Sequence, residues 1–314
     1  MNHLEDNKSI EKLTTIGVKA KTHKYCNIKD IKHLYEILKS NSLPIKVLGG
    51  GSNILWTKDF NGLTIHINNK GISIEKETHS YVVVNIQAGE NWHEFVIWSI
   101  NNGYGGVENL ALIPGNVGAA PIQNIGAYGV ELKDVFEELR AINLKTKQIK
   151  VFKKRECEFG YRDSVFKNKL KGKYLISKIT IKLSKNQILK TSYKGLEQKI
   201  KSYKKEEITS ELIRQKIIEI RNKKLPNPKQ IGNAGSFFKN PIINKELLNS
   251  IQIKYPKVPF FQNNESFKIP AGWLIEKLNW RGYREKKCGV SSKHALVIVN
   301  YGNATGEDIL ILSK

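Results

Sequence analysis

One hydroxyl in this chain is set among neighbours that could make it chemically useful. Ser236 lies in GNAGSFFKNP, Gly232 to Pro241, after a run with little side-chain bulk and before two aromatics. Backbone without bulk lets a ligand come close. Lys239 and Asn240 follow with a cation and an amide suited to an anionic, oxygen-rich substrate. Two readings are open for Ser236: the proton donor of an active site, or a turn hydroxyl satisfied by its own backbone.

Three other segments carry groups of the right type. In CEFGYRDSVFK, 157–167, Arg162 offers a fixed bidentate fork for carboxylate or phosphate, and Tyr161 a rigid ring with a polar tip. The alternative for Arg162 is a surface ion pair with Asp163, which is worth little. The step VLGGGSN, Val47 to Asn53, could turn successive backbone N–H groups toward a phosphate, or be an ordinary tight turn. It is no P-loop, since no Gly-Lys-Ser/Thr follows, and no dinucleotide fingerprint, since Ile54 and a strand come next. The stretch IPGNVGAAPIQNIGAYGVE, 113–131, has glycines at 115, 118, 126 and 129, small Ala119 and Ala120, and almost no charge. A solvent loop would be more polar. Backbone laid against a large flat ligand would need this smallness, with Gln123 and Asn124 as hydrogen-bonding amides.

These segments need a scaffold. Asn27 is expected to cap a helix with Ile28, Ile31, Leu34, Ile37 and Leu38 on one stripe and Asp30 at its positive end. Strands are expected at 45–48, 63–67, 80–87 and 174–183, and a helix at 90–102. Residues 211–224 read as a helix with Leu212, Ile213, Ile217 and Ile220 on one side and Arg221, Lys223 and Lys224 at its negative end. The character changes near residue 200. We therefore expect three segments: 1–70 and 71–200 forming a cofactor part, and 201–314 a smaller α/β part. At the end, 296–300 reads as a strand, and Thr305 with Asp308 as a capping box opening a helix. Six residues remain after Asp308, so loss of a C-terminal element is expected.

Composition narrows the class. The chain has 314 residues, 40% of them hydrophobic, with 24 Gly and 9 Pro, which describes a globular protein. No apolar run approaches the ~20 residues of a membrane span, and the start, MNHLEDNKSI, has no apolar signal region, so a cytoplasmic protein without membrane insertion is expected. Cys26, Cys157 and Cys288 form no CxxC pair and the seven histidines no HExxH, so neither disulfides nor a metal site is expected. The net charge of +23 invites a nucleic-acid reading. However, 45 of the 52 basic residues are Lys and they are scattered, whereas nucleic-acid sites cluster charge and favour Arg. No nucleic-acid partner is expected.

In this order the segments resemble one enzyme family, UDP-N-acetylenolpyruvoylglucosamine reductase. The matching motifs are LGGGSN at 48–53, ENLALIPGNVGAAPIQNIGAYGVE at 108–131, FGYRDSVFK at 159–167, KLPNPK at 224–229, GNAGSFFKNP at 232–241 and AGWLIEK at 271–277. The resemblance runs from about residue 15 to the end, and to the form that keeps a substrate-capping tyrosine loop. It implies an α+β protein: an FAD-binding fold of the vanillyl-alcohol-oxidase (PCMH) type in two subdomains, plus a C-terminal α/β substrate-binding domain. It also implies a flavoprotein oxidoreductase of peptidoglycan synthesis and cell-wall biogenesis, a monomer. NADPH would reduce the FAD, and hydride would pass on to the vinyl carbon of UDP-N-acetylglucosamine enolpyruvate.

By the same resemblance, Arg162 matches the arginine that stabilises the enolate-like charge, and Ser236 the proton donor to the α-carbon. Tyr193, Lys224 and Asn240 match positions holding the nucleotide diphosphate and sugar, with Tyr161 their neighbour. FAD would be held by Gly49, Gly50, Gly51, Ser52, Asn53, Pro114, Gly115, Gly118, Ala119, Ala120, Gln123, Asn124, Gly126 and Ala127. The family's Leu-Glu-Pro-Glu-Val-like segment, with a third active-site residue, has no counterpart before Lys314. A catalytically impaired FAD- and UDP-sugar-binding remnant is therefore the alternative expectation.

Overall fold

A computed structural model describes residues 4–186 and 188–314. The chain divides into two compact units: residues up to Ser9 with 21–51 and 59–221, and residues 10–20 with 52–58 and 222–314. Among the described residues, no helix is long and apolar enough to cross a membrane.

The first unit begins with β1 (Glu5–Ser9), β2 (Lys21–Ile28), α1 (Ile31–Ser40), β3 (Ile45–Leu48) and β4 (Phe60–Ile67). They form a four-stranded sheet in the order β1-β2-β4-β3, with β4 parallel to both β2 and β3. Parallel neighbours require a crossover; α1 lies on the path from β2 to β4, and residues 49–59 connect β3 to β4. Helix α1 starts later than its stripe suggests. Its cap is Asp30, whose carboxylate accepts the Lys32 N–H at 2.8 Å, while Asn27 and Ile28 end β2. The parallel ladder explains this, since Cys26, Asn27 and Ile28 pair with Ile65, His66 and Ile67 and outrank the local helix signal. Leu34, Ile37 and Leu38 are buried as expected.

The unit continues with β5 (Ile72–Glu77), β6 (Tyr81–Gln87), α2 (Trp92–Asn101), the small hairpin β7 (Gly126–Ala127) and β8 (Val130–Glu131), then β9 (Phe136–Asn143), β10 (Ile149–Lys153) and β11 (Tyr174–Ser184). A five-stranded antiparallel sheet has the order β10-β9-β11-β6-β5. Val82, Val84 and Ile86 alternate inward along β6, as a half-buried strand requires. They share a core with Trp92, Phe95 and Val96 of α2. Two helices follow, α3 (Lys194–Ile200) and α4 (Ser210–Lys224), and Ile213 and Ile217 of α4 enter this same core. Ser210, Ile213, Ile217 and Ile220 are the buried face; Leu212 lies off that stripe and is half-buried.

The second unit holds β12 (Gly232–Ser236), β13 (Ile242–Ile243), α5 (Lys245–Lys254), β14 (Phe261–Asn263), β15 (Ser266–Lys268), α6 (Ala271–Lys277), β16 (Arg284–Glu285), β17 (Cys288–Val290), β18 (Val297–Asn300) and α7 (Gly306–Ser313). One antiparallel sheet runs β12-β18-β17-β16 and a smaller one β13-β15-β14. Helix α7 opens on the expected capping box. The Asp308 N–H donates to Thr305 Oγ1 at 3.1 Å and the Thr305 N–H to Asp308 Oδ2 at 2.8 Å.

Candidate active site

Arg162 sits at the tip of a two-residue turn. Gly160 and Asp163 exchange backbone hydrogen bonds of 3.1 and 3.3 Å, leaving Tyr161 and Arg162 between them. Arg162 has φ +52°, a left-handed conformation that costs a side-chain-bearing residue about 1–2 kcal/mol. Neighbours hold it there. Ser164 Oγ donates to the Ile122 carbonyl at 2.7 Å, and Lys167 Nζ donates to the Arg162 carbonyl at 3.2 Å. Asp163 serves the turn, accepting from the Ser164 N–H and Asn168 Nδ2. The Arg162–Asp163 ion pair does not form. The guanidinium lies 5.6 Å from the Tyr161 ring centre and donates through Nη2 to the Gly126 carbonyl. Among the described residues, no carboxylate pairs with it.

Gly126 and Ala127 form β7, and the loop before them is locked by Asn124. Its amide donates to the Gly160 carbonyl and to Glu131 Oε2, both at 3.0 Å, and its oxygen accepts the Lys133 N–H at 3.0 Å. Asn124 thus ties the glycine-rich stretch to the arginine turn. Further back, two segments distant in sequence close into a seam. A Cβ added to Gly50 would stand 2.8 Å from Asn116 Oδ1 and 2.9 Å from the Gly115 Cα, so only glycine allows this contact. Gly49 lies against Asn116 and Ala119. Gly118 is pinned to the Ala88 carbonyl at 2.9 Å and Val117 to that of Glu90 at 2.8 Å; Ala120 is buried in the same turn. Below Gly49, His66 accepts or donates across 2.8 Å to the Tyr25 hydroxyl. Burial lowers the His66 pKa, and a hydrogen bond to the Gly49 backbone opposes that.

Residues 49–50 and 115–127 thus bring together backbone, small or apolar side chains and amides, with no charged side chain. Such a surface fits a large planar cofactor with a diphosphate tail. Gly51 adjoins it in the chain, whereas Ser52 and Asn53 belong to the second unit.

Ser236 ends β12 on a bulge. Asn233 faces Val299 and Ser236 faces Val297 on β18, so β12 carries one residue more than its partner. Gly235 absorbs it at φ +71°, where glycine is unstrained. The bulge leaves Ser236 exposed beside a strand that is buried throughout. No described residue hydrogen-bonds its hydroxyl, so the self-satisfied turn is not what forms. That work falls to Asn233, which the sequence did not single out. Buried Asn233 donates through Nδ2 to the Pro226 and Ile231 carbonyls at 3.2 and 3.0 Å and accepts the Gly235 N–H at 3.1 Å. Its backbone also bonds Thr15 in both directions. An asparagine two residues before a glycine is a known turn signal and could have revealed it.

The remaining residues are spread over both units. Tyr193 caps α3, is 45% exposed, and meets Tyr128 edge-on at 5.2 Å. Lys224 ends α4; burial, and after it the Lys224 charge, lower the pKa of His294. Asn240 accepts the Ala271 N–H at 2.9 Å, capping α6 with its carbonyl oxygen and keeping its amide N–H groups for other partners. Gln123 and Pro114 lie in the glycine-rich stretch, Gln123 half-buried and Pro114 exposed.

Two sheets, a glycine seam in place of a P-loop, and a fixed arginine beside it fit a protein that holds a large planar nucleotide cofactor. A family model described as an FAD binding domain matches residues 25–151, and one described as the C-terminal domain of UDP-N-acetylenolpyruvoylglucosamine reductase matches 227–314. The UDP-N-acetylenolpyruvoylglucosamine reductase of Flavobacterium johnsoniae is 46% identical over 99% of this chain and 93% of its own length. That of Amoebophilus asiaticus is 45% identical with the same coverage. The crystal structure of the enzyme from Thermus caldophilus superposes with a TM-score of 0.68 at 21% identity, covering 100% of this chain and 94% of that one, which shows the shared fold. The chain belongs to the UDP-N-acetylenolpyruvoylglucosamine reductase family.

Proposed function

We propose that this chain reduces UDP-N-acetylglucosamine enolpyruvate to UDP-N-acetylmuramate in peptidoglycan precursor synthesis, with FAD as cofactor and NADPH as hydride donor. Within the family just established, the observation that carries this reading is Arg162, an arginine without a carboxylate partner, held in a strained turn against the end of the glycine-rich stretch. Bound FAD supplies the two-electron carriage between NADPH and the vinyl group.

The chain's own residues do the rest. Arg162 places a fixed fork where negative charge grows on the substrate's carboxylate as its α-carbon becomes enolate-like. Ser236 delivers the proton to that carbon. A serine hydroxyl is a weak acid, so it serves only a strongly basic carbanion, and its freedom from protein partners suits it to that role. Gly49, Gly50, Gly51, Ser52, Asn53 and the stretch Pro114 to Ala127 hold the cofactor. Tyr161, Tyr193, Lys224 and Asn240 hold the sugar nucleotide. We assign residues 1–70 and 71–200 to the two cofactor subdomains and 201–314 to the substrate domain. The enzyme works as a cytoplasmic monomer without a nucleic-acid partner.

The test is optical. Purified protein should be yellow, bleach with NADPH under anaerobic conditions, and regain its colour when the enolpyruvyl substrate is added. Rapid recovery with oxygen instead would mark an oxidase on the same fold. Bleaching with no recovery by substrate would mark a catalytically impaired remnant.

A further inference from the structure

Arg221, on the last turn of α4, is a guanidinium buried without a counter-ion. Its Nε–H is shielded from solvent and has no hydrogen-bond partner among the described residues. Among the described residues no carboxylate pairs with it; Glu211 on the same helix is taken by Arg214. What faces it is neutral or cationic. The Tyr128 hydroxyl is hydrogen-bonded to it, the Arg162 charge lies in its field, and its own charge reaches His93 on α2. Burial pulls its pKa down; Tyr128 opposes the shift and the Arg162 charge adds to it. In a chain that uses Lys 45 times and Arg 7, an arginine at a position this unfavourable for charge calls for a reason. A buried cation needs a compensating anion, and an orphan N–H needs an acceptor. A planar fork with free donors is the geometry that phosphate oxygens satisfy.

Tyr128 connects this group to the sugar-nucleotide residues. It sits at φ +50°, pinned by Asn109 Nδ2, which donates to its carbonyl and to that of Lys190, both at 2.8 Å. The same asparagine thereby ties down the segment leading to Tyr193, whose ring meets Tyr128 edge-on. Resting on the reductase reading above, we infer that Arg221 is a substrate-binding residue, taking diphosphate oxygens of the sugar nucleotide while Tyr128 holds its guanidinium plane.

The test compares FAD-loaded wild type with Arg221→Met, Arg221→Lys and Tyr128→Phe. UDP-N-acetylglucosamine, which has the diphosphate but no carboxylate, is titrated while the flavin spectrum and protein fluorescence are followed. KM and kcat with the full substrate are measured alongside. Arg221→Met should weaken UDP-N-acetylglucosamine binding and raise KM by about 10–100-fold, with the larger effect on KM than on kcat. Arg221→Lys should recover part of the loss and Tyr128→Phe should show a smaller one. The melting temperature of Arg221→Met should hold or rise, because an uncompensated buried charge has been removed. Unchanged UDP-N-acetylglucosamine binding in Arg221→Met overturns the inference, as does a loss seen only with the carboxylate-bearing substrate. If Arg221→Met does not fold, unchanged binding in both other variants overturns it equally. The binding titration is independent of turnover, so an inactive wild type would defeat the reductase reading without deciding this one.

Discussion

The Gly160–Asp163 turn and the Gly235 bulge both rely on one left-handed residue, but they place it differently. In the turn Arg162 itself takes the strained conformation; in the bulge a glycine takes it and Ser236 follows in ordinary strand geometry. The surroundings differ in the same sense. Arg162 is propped by Ser164, Lys167 and the Gly126 carbonyl, whereas the Ser236 hydroxyl has no bond to a described residue. A fixed charge gains from preorganisation, because its dipole must already point where charge will develop. A proton donor gains from an uncommitted O–H, because a hydrogen bond already made through that proton must first be broken.

Breaking either arrangement should give distinct results. Removing the hydroxyl in Ser236→Ala should lower kcat by about 10²–10⁴-fold while NADPH still bleaches the flavin at the normal rate. Stopped-flow measurement of the two half-reactions checks this, and a slowed reductive half would contradict the assignment. Arg162→Lys should lower kcat by about 10²–10³-fold, because an ammonium lacks the planar fork although it keeps the charge. Gly235→Ala forces a side chain into the left-handed region and should cost about 1–2 kcal/mol, read as a lowered melting temperature. Arg162→Gly at the other turn should relieve that strain, so opposite signs in the two melting curves would sharpen the contrast.

The smallest effect is one of pH. His93 on α2 accepts the Leu112 N–H at 3.0 Å, and burial lowers its pKa from the ordinary 6.5. The folded state thus favours neutral imidazole. Its contribution is complete above pH ~6.5 and is lost as pH falls through the lower folded value. His93→Gln, whose amide can still accept the Leu112 N–H, should flatten the stability profile below that pH in chemical denaturation.

Much of this was legible in advance because it is local. Turn chemistry marked the Gly-rich segments, strand-like apolar runs marked β6 and β11, and the capping box marked α7, since each depends on residues a few positions apart. A misreading arose where distant pairing intervened: Asn27 was expected to cap a helix, but the ladder to β4 drew it into β2. Asn124 keeps the cofactor role proposed for it, and its amide is also the clasp between residues 122–133 and the Gly160 turn.

The amino-acid sequence by itself determined the family and the cofactor class, because these are carried by short contiguous motifs. Only the tertiary structure decided which alternative each motif adopts. It separated Arg162 from Asp163, left the Ser236 hydroxyl uncommitted by giving the turn to Asn233, and buried Arg221 beside Tyr128 with no carboxylate. Those outcomes depend on where buried polar groups find their partners, and the partners lie far away in the chain.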